Sequence, residues 1–292
     1  ISLLNVEGKI FFAVLARRLQ DFLSRNGYVD TRIQKGATAG CPGVLEHVAS
    51  LFDMLGEARK GKKTLHVVFC DVANAFGSVP HRVIFRALEH YRVPDRVRTL
   101  LEQYYENLYC RVSTRTFTSA LQRLERGIMM GCSVSPILFV TAFNLCLQVD
   151  AGEHAFMVRG NPVPAMKSYV DDVAICAKSC AGARALLKSF NSKVERFGMA
   201  LKPAKCRSLS ISSGRPVDRE LFSLGGSSLP TVIAKPMKFL GRFVDVGARR
   251  KDRAGELRNE LTATLRKIDR STLVASADAR MLTRLLPINS AP

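Results

Sequence analysis

The chain has 292 residues, of which 47% are hydrophobic, and it carries a formal net charge of +19. Its length suits one large domain or two modest ones, and the hydrophobic fraction excludes a chain that is disordered throughout. A positive charge of this size attracts polyanions, of which nucleic acid is the commonest. We therefore expect a nucleic-acid-binding protein in preference to one with an inert basic surface.

Eight cysteines are scattered along the chain, without a CxxC pair or a Cys/His metal spacing. This pattern is typical of buried thiols in a reducing compartment, so we expect an intracellular protein, in either the nucleus or the cytoplasm. No apolar run approaches the roughly 18 residues of a membrane span, and no signal peptide is visible. Because the chain starts at Ile1 inside a predicted element, we expect it to be part of a longer protein.

Periodicity and turn residues predict five elements in the first 108 residues: helices over 9–24, 43–59, 80–91 and 94–108, and a buried strand over 64–70. Pro80 and Pro94 are expected in the first turns of their helices.

The second part of the chain begins with strand-like residues over 109–118 and 121–127. Ser135 is expected to cap the next helix, with Pro136 at its first position. The later predicted elements are a hairpin around 165–176, a helix over 181–197, strands over 206–212 and 237–244, and a basic helical tail from about 249. Strands and helices alternate irregularly with hairpin connections, which favours an α+β sheet covered by helices.

Acidic residues mark a candidate metal site. Asp171 and Asp172 lie in the turn of the predicted hairpin, and adjacent carboxylates repel each other unless a cation lies between them. An isolated Asp-Asp is more often a solvated turn, but the strand predicted over 64–70 also ends in a carboxylate, Asp71. If the two strands are neighbours, three carboxylates converge, and such oxygen ligands suit Mg²⁺ together with substrate phosphates. The ordinary alternative for Asp71 is a helix cap or a turn residue.

Five segments resemble, in order and spacing, the palm motifs of reverse transcriptases, in a style similar to non-LTR (LINE-like) retrotransposon enzymes. They are FCDVANAF, GIMMGCSVSPILF, YVDD, GMALKPAK and KFLGRFV. The opening ISLLNVEGKIFFAVLARRL resembles the fingers segment of those enzymes. The resemblance implies a right-hand polymerase fold with an antiparallel palm sheet backed by helices. It implies partial fingers over 1–62, a palm over 63–247 from which about 92–128 returns to the fingers, and the start of a thumb over 248–292.

The resemblance also implies the catalytic residues, which are Asp71, Asp171 and Asp172. Asp71 and Asp171 would be the principal ligands of two Mg²⁺ ions, with Mn²⁺ as a substitute, and the Val72 carbonyl and Asp172 would assist. A primer 3′-hydroxyl would then attack the α-phosphate of a deoxynucleoside triphosphate on an RNA template; two-metal sites of this kind are general among polymerases. The implied partners are the RNA template, the DNA primer and deoxynucleoside triphosphates, without a membrane.

The implied nucleotide-binding residues are Ala75, Phe76, Met130, Gly131 and Lys205. The Phe76 ring matches a steric gate that collides with a ribose 2′-hydroxyl, although a core position is the commoner fate of a Phe. The amides of Ala75 and Phe76 would face the triphosphate, and Gly131 would let the backbone approach the nascent base pair. Lys205 would protonate pyrophosphate or act as a counter-charge, with a plain surface lysine as the alternative.

Phe239, Leu240 and Gly241 resemble the primer grip, a hairpin that holds the primer terminus, and the ordinary alternative for them is a core strand.

Two positions depart from the family pattern. Met130 stands where many reverse transcriptases have Gln and cannot donate a hydrogen bond, and Gly77 stands where the family often has Asp. These departures leave open a catalytically decayed or domesticated copy that only binds nucleic acid. An RNA-dependent RNA polymerase also remains open, although Phe76 argues against it, as does a group II intron or retron-type enzyme.

Overall fold

The computed structural model describes residues 5–38, 43–244, 261–263 and 265–266. Its helices are α1 (Val6–Arg25), α2 (Val44–Lys60), α3 (Ala75–Ser78), α4 (His81–His90), α5 (Asp95–Glu106), α6 (Ser135–Leu147) and α7 (Cys180–Arg196), with a 3-10 turn over Gly152–His154. Its strands are β1 (Leu65–Cys70), β2 (Tyr109–Cys110), β3 (Gln122–Arg123), β4 (Met157–Val158), β5 (Asn161–Pro162), β6 (Met166–Tyr169), β7 (Asp172–Ala177), β8 (Arg207–Ser212), β9 (Arg215–Val217), β10 (Ser223–Leu224), β11 (Ser227–Ser228), β12 (Met237–Phe239) and β13 (Arg242–Val244).

A five-stranded antiparallel sheet in the order β6-β7-β1-β8-β9 forms the centre of the fold. All six residues of β1 are buried because the strand has a neighbour on each side and a covered surface on each face. Val68 and Cys70 belong to a large apolar cluster, whereas Leu65, Val67 and Phe69 belong to a smaller one. Alternate side chains of a strand point to opposite faces, so the continuous apolar run fills two cores.

Helices supply the rest of both cores. The large cluster collects apolar side chains from α1, α4, α5, α6 and α7, and the smaller one combines α2 with the β12–β13 hairpin. The predicted α+β class with an antiparallel sheet backed by helices is therefore confirmed. Among the described helices, none combines the length and the apolar character needed to cross a bilayer. The seven cysteines in the described ranges are free thiols, and five of them are buried.

The start of α6 differs from the prediction. Val134 occupies the N-cap, while Ser135 is the first helical residue and Pro136 the second. Ser135 is fully buried rather than a solvent-facing cap. The helix begins at Ser135, one residue earlier than predicted, because the residues before it already form a hydrogen-bonded turn. The Ser135 amide donates to the Cys132 carbonyl at 3.2 Å, and the Leu138 amide donates to the Val134 carbonyl at 3.1 Å.

The segment between α5 and α6 has less strand than its sequence predicts. Only β2 and β3 form a ladder there, with Ser113 and Thr118 in a further isolated bridge. This outlying hairpin is exposed along most of its length, so no second layer extends the pairing. The helices α4 and α5 also begin one residue later than predicted. Pro80 and Pro94 are their N-cap residues rather than members of their first turns.

A buried polar contact joins α2 to the edge strand β6. His47 is 1% exposed, and its Nε2 lies 2.9 Å from the Ile33 carbonyl oxygen and 3.0 Å from that of Ser168. Because both partners only accept, we assign the ring proton to Nε2. Burial, aided by the nearby charge of Lys167, lowers the pKa of His47 from 6.5 to about 4. The imidazole is therefore a neutral donor at physiological pH.

We predict that His47 makes the fold sensitive to acid. The folded pKa lies below that of the unfolded chain, so the unfolded state takes up the proton first and the free energy of unfolding falls as the pH drops from 6.5 towards 4. A shift of this size corresponds to about 3 kcal/mol. Urea unfolding at pH 7 and pH 4.5 checks this, with His47→Gln as the control because its neutral amide donates from a similar position. An equal loss of stability in both proteins would contradict the assignment.

Candidate active site

The three predicted carboxylates share one edge of the central sheet. Asp71 directly follows β1, and Asp171 and Asp172 lie where β6 turns into β7. Cys70 pairs with Val173 across β1 and β7, so the next step of that register sets Asp71 opposite Asp172. The two strands are neighbours, which is the condition on which the sequence analysis made the convergence of the carboxylates depend.

The three carboxylates concentrate negative charge at this edge of the sheet. Burial raises the pKa of Asp171; a hydrogen bond to its own backbone opposes the rise, and the charge of Asp71 adds to it. Burial also raises the pKa of Asp172, and the charges of Asp171 and Asp71 add to that shift. Lys205 is the cation closest at hand, with its Nζ 3.7 Å from Asp71 Oδ2. The repulsion among the three carboxylates is one that a cation bound between them would relieve.

The donors suit a magnesium ion that substrate completes. Within the described ranges, no group of three or more His, Cys, Asp or Glu side chains is arranged to hold a metal ion by itself. Mg²⁺ characteristically takes one or two carboxylates and fills its remaining positions with water and substrate phosphates. The hard oxygens of Asp71, Asp171 and Asp172 fit that pattern.

The backbone beside Asp71 offers a further oxygen. The Lys202 amide donates to the Asp71 carbonyl at 2.8 Å, and the Ala73 amide donates to the Ala200 carbonyl at 2.8 Å. These two bonds flank Val72, whose own carbonyl accepts no hydrogen bond from the residues that the structure describes. That oxygen is therefore available to a ligand.

An open cleft of about 240 Å³ adjoins Asp71 and Asp172, and Asp171 is not among its lining residues. It is lined by Phe69, Cys70, Asp71, Asp172, Val173, Lys205, Arg207, Met237, Lys238 and Phe239. Three of these side chains are cationic and two are anionic, a mixture that suits a phosphate-bearing ligand held partly through a cation.

The predicted primer grip reaches this cleft as a hairpin. The run 237–244 is not one strand but β12 and β13, joined by a turn in which Leu240 has φ 48° and Gly241 φ 77°. Phe239 is buried, with its ring centroid 5.2 Å from that of Phe69. This contact fixes the hairpin on the sheet beside Asp71, while Leu240 and Gly241 lie at its turn.

Phe76 is held rigidly next to α6. It is half-buried, and its ring stacks on the buried ring of Phe139 with centroids 5.1 Å apart and an angle of 9° between the planes. The Ile128 amide donates to the Phe76 carbonyl at 2.7 Å. Ala75 and Phe76 begin α3, where the first amides lack helical acceptors.

Met130 and Gly131 lie in the turn that precedes α6. Met130 is 60% exposed, and Gly131 has φ 101°, a conformation that favours glycine. The Ser133 hydroxyl donates to the Lys9 carbonyl at 3.1 Å, which ties this turn to α1. In the part of the chain that the structure describes, neither Phe76 nor this turn lines the cleft beside the carboxylates.

The family described as reverse transcriptase (RNA-dependent DNA polymerase) matches residues 1–243. The chain belongs to the reverse transcriptase family. It is 28% identical over 211 residues to the Pol polyprotein of the type-1 retrotransposable element R2 from Nasonia vitripennis, which covers 72% of this chain and 20% of the relative. The R2DM Pol polyprotein of Drosophila melanogaster is 26% identical over 241 residues, 80% of this chain and 22% of the relative.

These relatives confirm the predicted resemblance to a non-LTR reverse transcriptase domain. The chain spans between a fifth and two fifths of the R2 relatives that it matches. Apo telomerase from Candida Tropicalis has a similar fold, with a TM-score of 0.53, 12% identity and coverage of 80% of this chain and 39% of that one. The predicted right-hand polymerase fold is confirmed.

Sequence reasoning missed several residues around the site of this reverse transcriptase domain. Arg207 and Lys238 line the cleft, and Gln34 bonds to the turn that carries Asp171. Arg207 begins β8, but Lys205 lies in the turn before the strand, so the alternation of strand side chains does not relate the two. Gln34 gives no signal either, since it is a single polar residue in a loop 136 positions before its partner.

We predict that the repulsion between the carboxylates is measurable without substrate. In EDTA at pH 7, Asp171→Asn should raise the melting temperature by a few degrees, because it removes a partly buried like charge. Adding Mg²⁺ should then stabilise the wild type more than the variant. Asp53→Asn, which neutralises an exposed carboxylate on α2, is the matched control and should change neither quantity. If Asp171→Asn behaves like Asp53→Asn, the three charges do not share one site.

Proposed function

We propose that the chain catalyses RNA-templated DNA synthesis as the reverse transcriptase part of a retrotransposon polyprotein. The observation that carries this proposal is the convergence of Asp71, Asp171 and Asp172 at one sheet edge in a member of this family. The net charge of +19 supports a polyanionic substrate, here an RNA template paired with a DNA primer.

The carboxylates would hold the metal ions of the reaction. Asp71 and Asp171 are the principal ligands in this proposal, and Asp172 and the Val72 carbonyl assist. Two bound Mg²⁺ ions, or Mn²⁺ in their place, would supply an acidified primer 3′-hydroxyl and charge neutralisation at the triphosphate. Because Lys205 contacts Asp71 yet keeps 60% of its side chain exposed, its ammonium can face the departing pyrophosphate.

The other predicted site residues would bind and orient the substrates. The amides of Ala75 and Phe76 face the triphosphate, and the backbone at Met130 and Gly131 contacts the nascent base pair. The primer grip of Phe239, Leu240 and Gly241 holds the primer terminus. The position of Phe239 in the wall of the carboxylate cleft supports this last role.

The domain boundaries remain part of the proposal: fingers over 1–62, palm over 63–247 with about 92–128 returning to the fingers, and thumb over 248–292. A division of the chain into two compact units after Val246 supports the boundary between palm and thumb. Most of the proposed thumb lies outside the described residues, apart from helical stretches over 261–263 and 265–266.

Primer extension on an RNA template tests the central proposal. Deoxynucleotide incorporation should require a divalent metal and should fall by about a thousandfold or more in Asp171→Asn, because the reaction loses a ligand of the metal that stabilises developing charge. Asp53→Asn should keep full activity. The chain is best expressed with the flanking sequence of its natural reading frame. Metal-dependent synthesis that survives Asp171→Asn would show that these carboxylates are not the reaction centre.

The stacked ring of Phe76 supports its role as a steric gate, and we predict that Phe76→Ala admits ribonucleotides. The ratio of kcat/KM for a ribonucleotide to that for the matching deoxynucleotide should rise about tenfold or more, because the group that excludes the 2′-hydroxyl is gone. Phe85→Ala removes another half-buried ring that packs on the same core and should leave the ratio unchanged. A ratio that stays constant in Phe76→Ala would remove the gate assignment. Efficient ribonucleotide use by the wild type would favour an RNA-dependent RNA polymerase.

Met130 and Gly77 keep a second candidate function in view, a decayed or domesticated copy that binds nucleic acid without synthesis. Met130 presents an exposed thioether where an amide donor is common. At Gly77 a Cβ would overlap the side-chain amide of the exposed Asn74, so a larger residue there would require that amide to move. A folded protein that binds an RNA–DNA duplex but incorporates no nucleotide would favour the decayed copy, and recovery in Met130→Gln would identify the lost contact.

A further inference from the structure

Val170 lies in a strained conformation directly before Asp171. Its φ is 58°, in the left-handed region, where a β-branched residue is a genuine outlier. Such a conformation costs on the order of 1–3 kcal/mol and persists only where the surroundings enforce it. The conformation of Val170 sets the direction in which the chain presents Asp171. The contacts that enforce it therefore bear on the carboxylate site.

The side chain of Gln34 holds this turn from both sides. Gln34 is fully buried, and its Oε1 accepts the Val170 amide at 2.9 Å and the Gly36 amide at 2.8 Å. Its Nε2 donates to the Val170 carbonyl at 3.0 Å and to the Ser168 hydroxyl at 2.9 Å. These four bonds use the full capacity of a carboxamide, and the opposite amide orientation would set donors against donors.

The backbone around Gln34 keeps the carboxamide in register with the turn. Gln34 and Ser168 form a parallel bridge, in which the Ser168 amide donates to the Ile33 carbonyl at 2.8 Å and the Lys35 amide to the Ser168 carbonyl at 3.0 Å. Gly36 packs so closely that a Cβ there would overlap the Val170 amide nitrogen. The segment 33–36 thus acts as a short extra strand along the outer edge of β6.

We propose that Gln34 is a positioning residue for DNA synthesis: its carboxamide holds Val170 in the left-handed conformation and thereby fixes the direction of Asp171. This inference rests on the proposed role of Asp171. Gln34 touches the backbone of the turn and not the carboxylates, so it acts only through Val170.

Kinetics of Gln34→Met provide the first test, because Met has a similar length but makes none of the four bonds. We expect kcat to fall about tenfold to a hundredfold through misplacement of Asp171, with the KM for deoxynucleotides changed less than about twofold. A Gln34→Met enzyme with wild-type kcat would overturn the proposal.

Rescue by glycine provides the second test. Glycine adopts positive φ without strain, so Gln34→Met should lower kcat several-fold less in the Val170→Gly background than in the wild type. The matched control is Arg92→Gly, which relieves a left-handed residue of φ 52° between α4 and α5 and should not rescue. Equal losses in the Val170→Gly and Arg92→Gly backgrounds would overturn the proposal. If Gln34→Met alone does not fold, the folded yields of these two double variants test the same coupling.

Hydrogen exchange tests the contact between Gln34 and Val170 independently of DNA synthesis. In Gln34→Met the Val170 amide should exchange at least about tenfold faster, whereas the Ser168 amide, bonded to Ile33, should stay protected. An unchanged exchange rate at the Val170 amide would overturn the inference that Gln34 holds Val170. This readout needs no catalysis. Faster exchange of the Val170 amide in Gln34→Met, together with synthesis that survives Asp171→Asn, would reject the proposed catalytic role of Asp171 but would still show that Gln34 holds the turn.

Discussion

Mutual repulsion among three carboxylates at the end of β1 is the constraint around which this domain is built. An unfolded chain would separate Asp71 from Asp171 and Asp172, and the fold must work against that tendency. It does so with a strand that is hydrogen-bonded on both sides and buried on both faces. The cost of assembling the charges is therefore met by apolar burial far larger than the site itself, and a strand with all six of its residues buried leads directly into Asp71.

The two sides of the sheet contribute differently to that centre. The larger apolar cluster anchors α6, on whose Phe139 ring the proposed gate Phe76 rests. The smaller cluster anchors the β12–β13 hairpin through Phe69 and Phe239. Alternate residues of β1 thus pack into the two apolar clusters on opposite faces of the sheet, and Asp71 directly follows the strand. A nucleotide and a primer terminus that meet at Asp71 would each be positioned by a different core.

Local sequence signals predicted the sheet well and its polar connections poorly. The continuous apolar run at 65–70 predicts β1, and the acidic turn at 169–172 predicts the β6–β7 hairpin, from composition alone. The hairpin within 237–244 was read as one strand because its turn requires Leu240 in a left-handed conformation, although Gly241 was a usable signal. Gln34 and His47 escaped prediction for another reason: their partners around Ser168 are more than 120 positions away, so no local pattern distinguishes them from ordinary loop and helix residues.

The glycine at position 77 has a consequence for how this sequence can change. Gly127, at φ 84°, lies against the Gly77 backbone so closely that a Cβ on Gly127 would come within 2.7 Å of the Gly77 carbonyl oxygen, and Asn74 occupies the space where a Gly77 side chain would begin. The three positions therefore form one steric unit. An aspartate at position 77 would require the Asn74 amide to turn aside, and Asn74 is exposed and makes no cap hydrogen bond that would hold it there. The tightest restriction in this unit falls on Gly127 instead, because a side chain there would collide with the Gly77 backbone, which cannot rotate away.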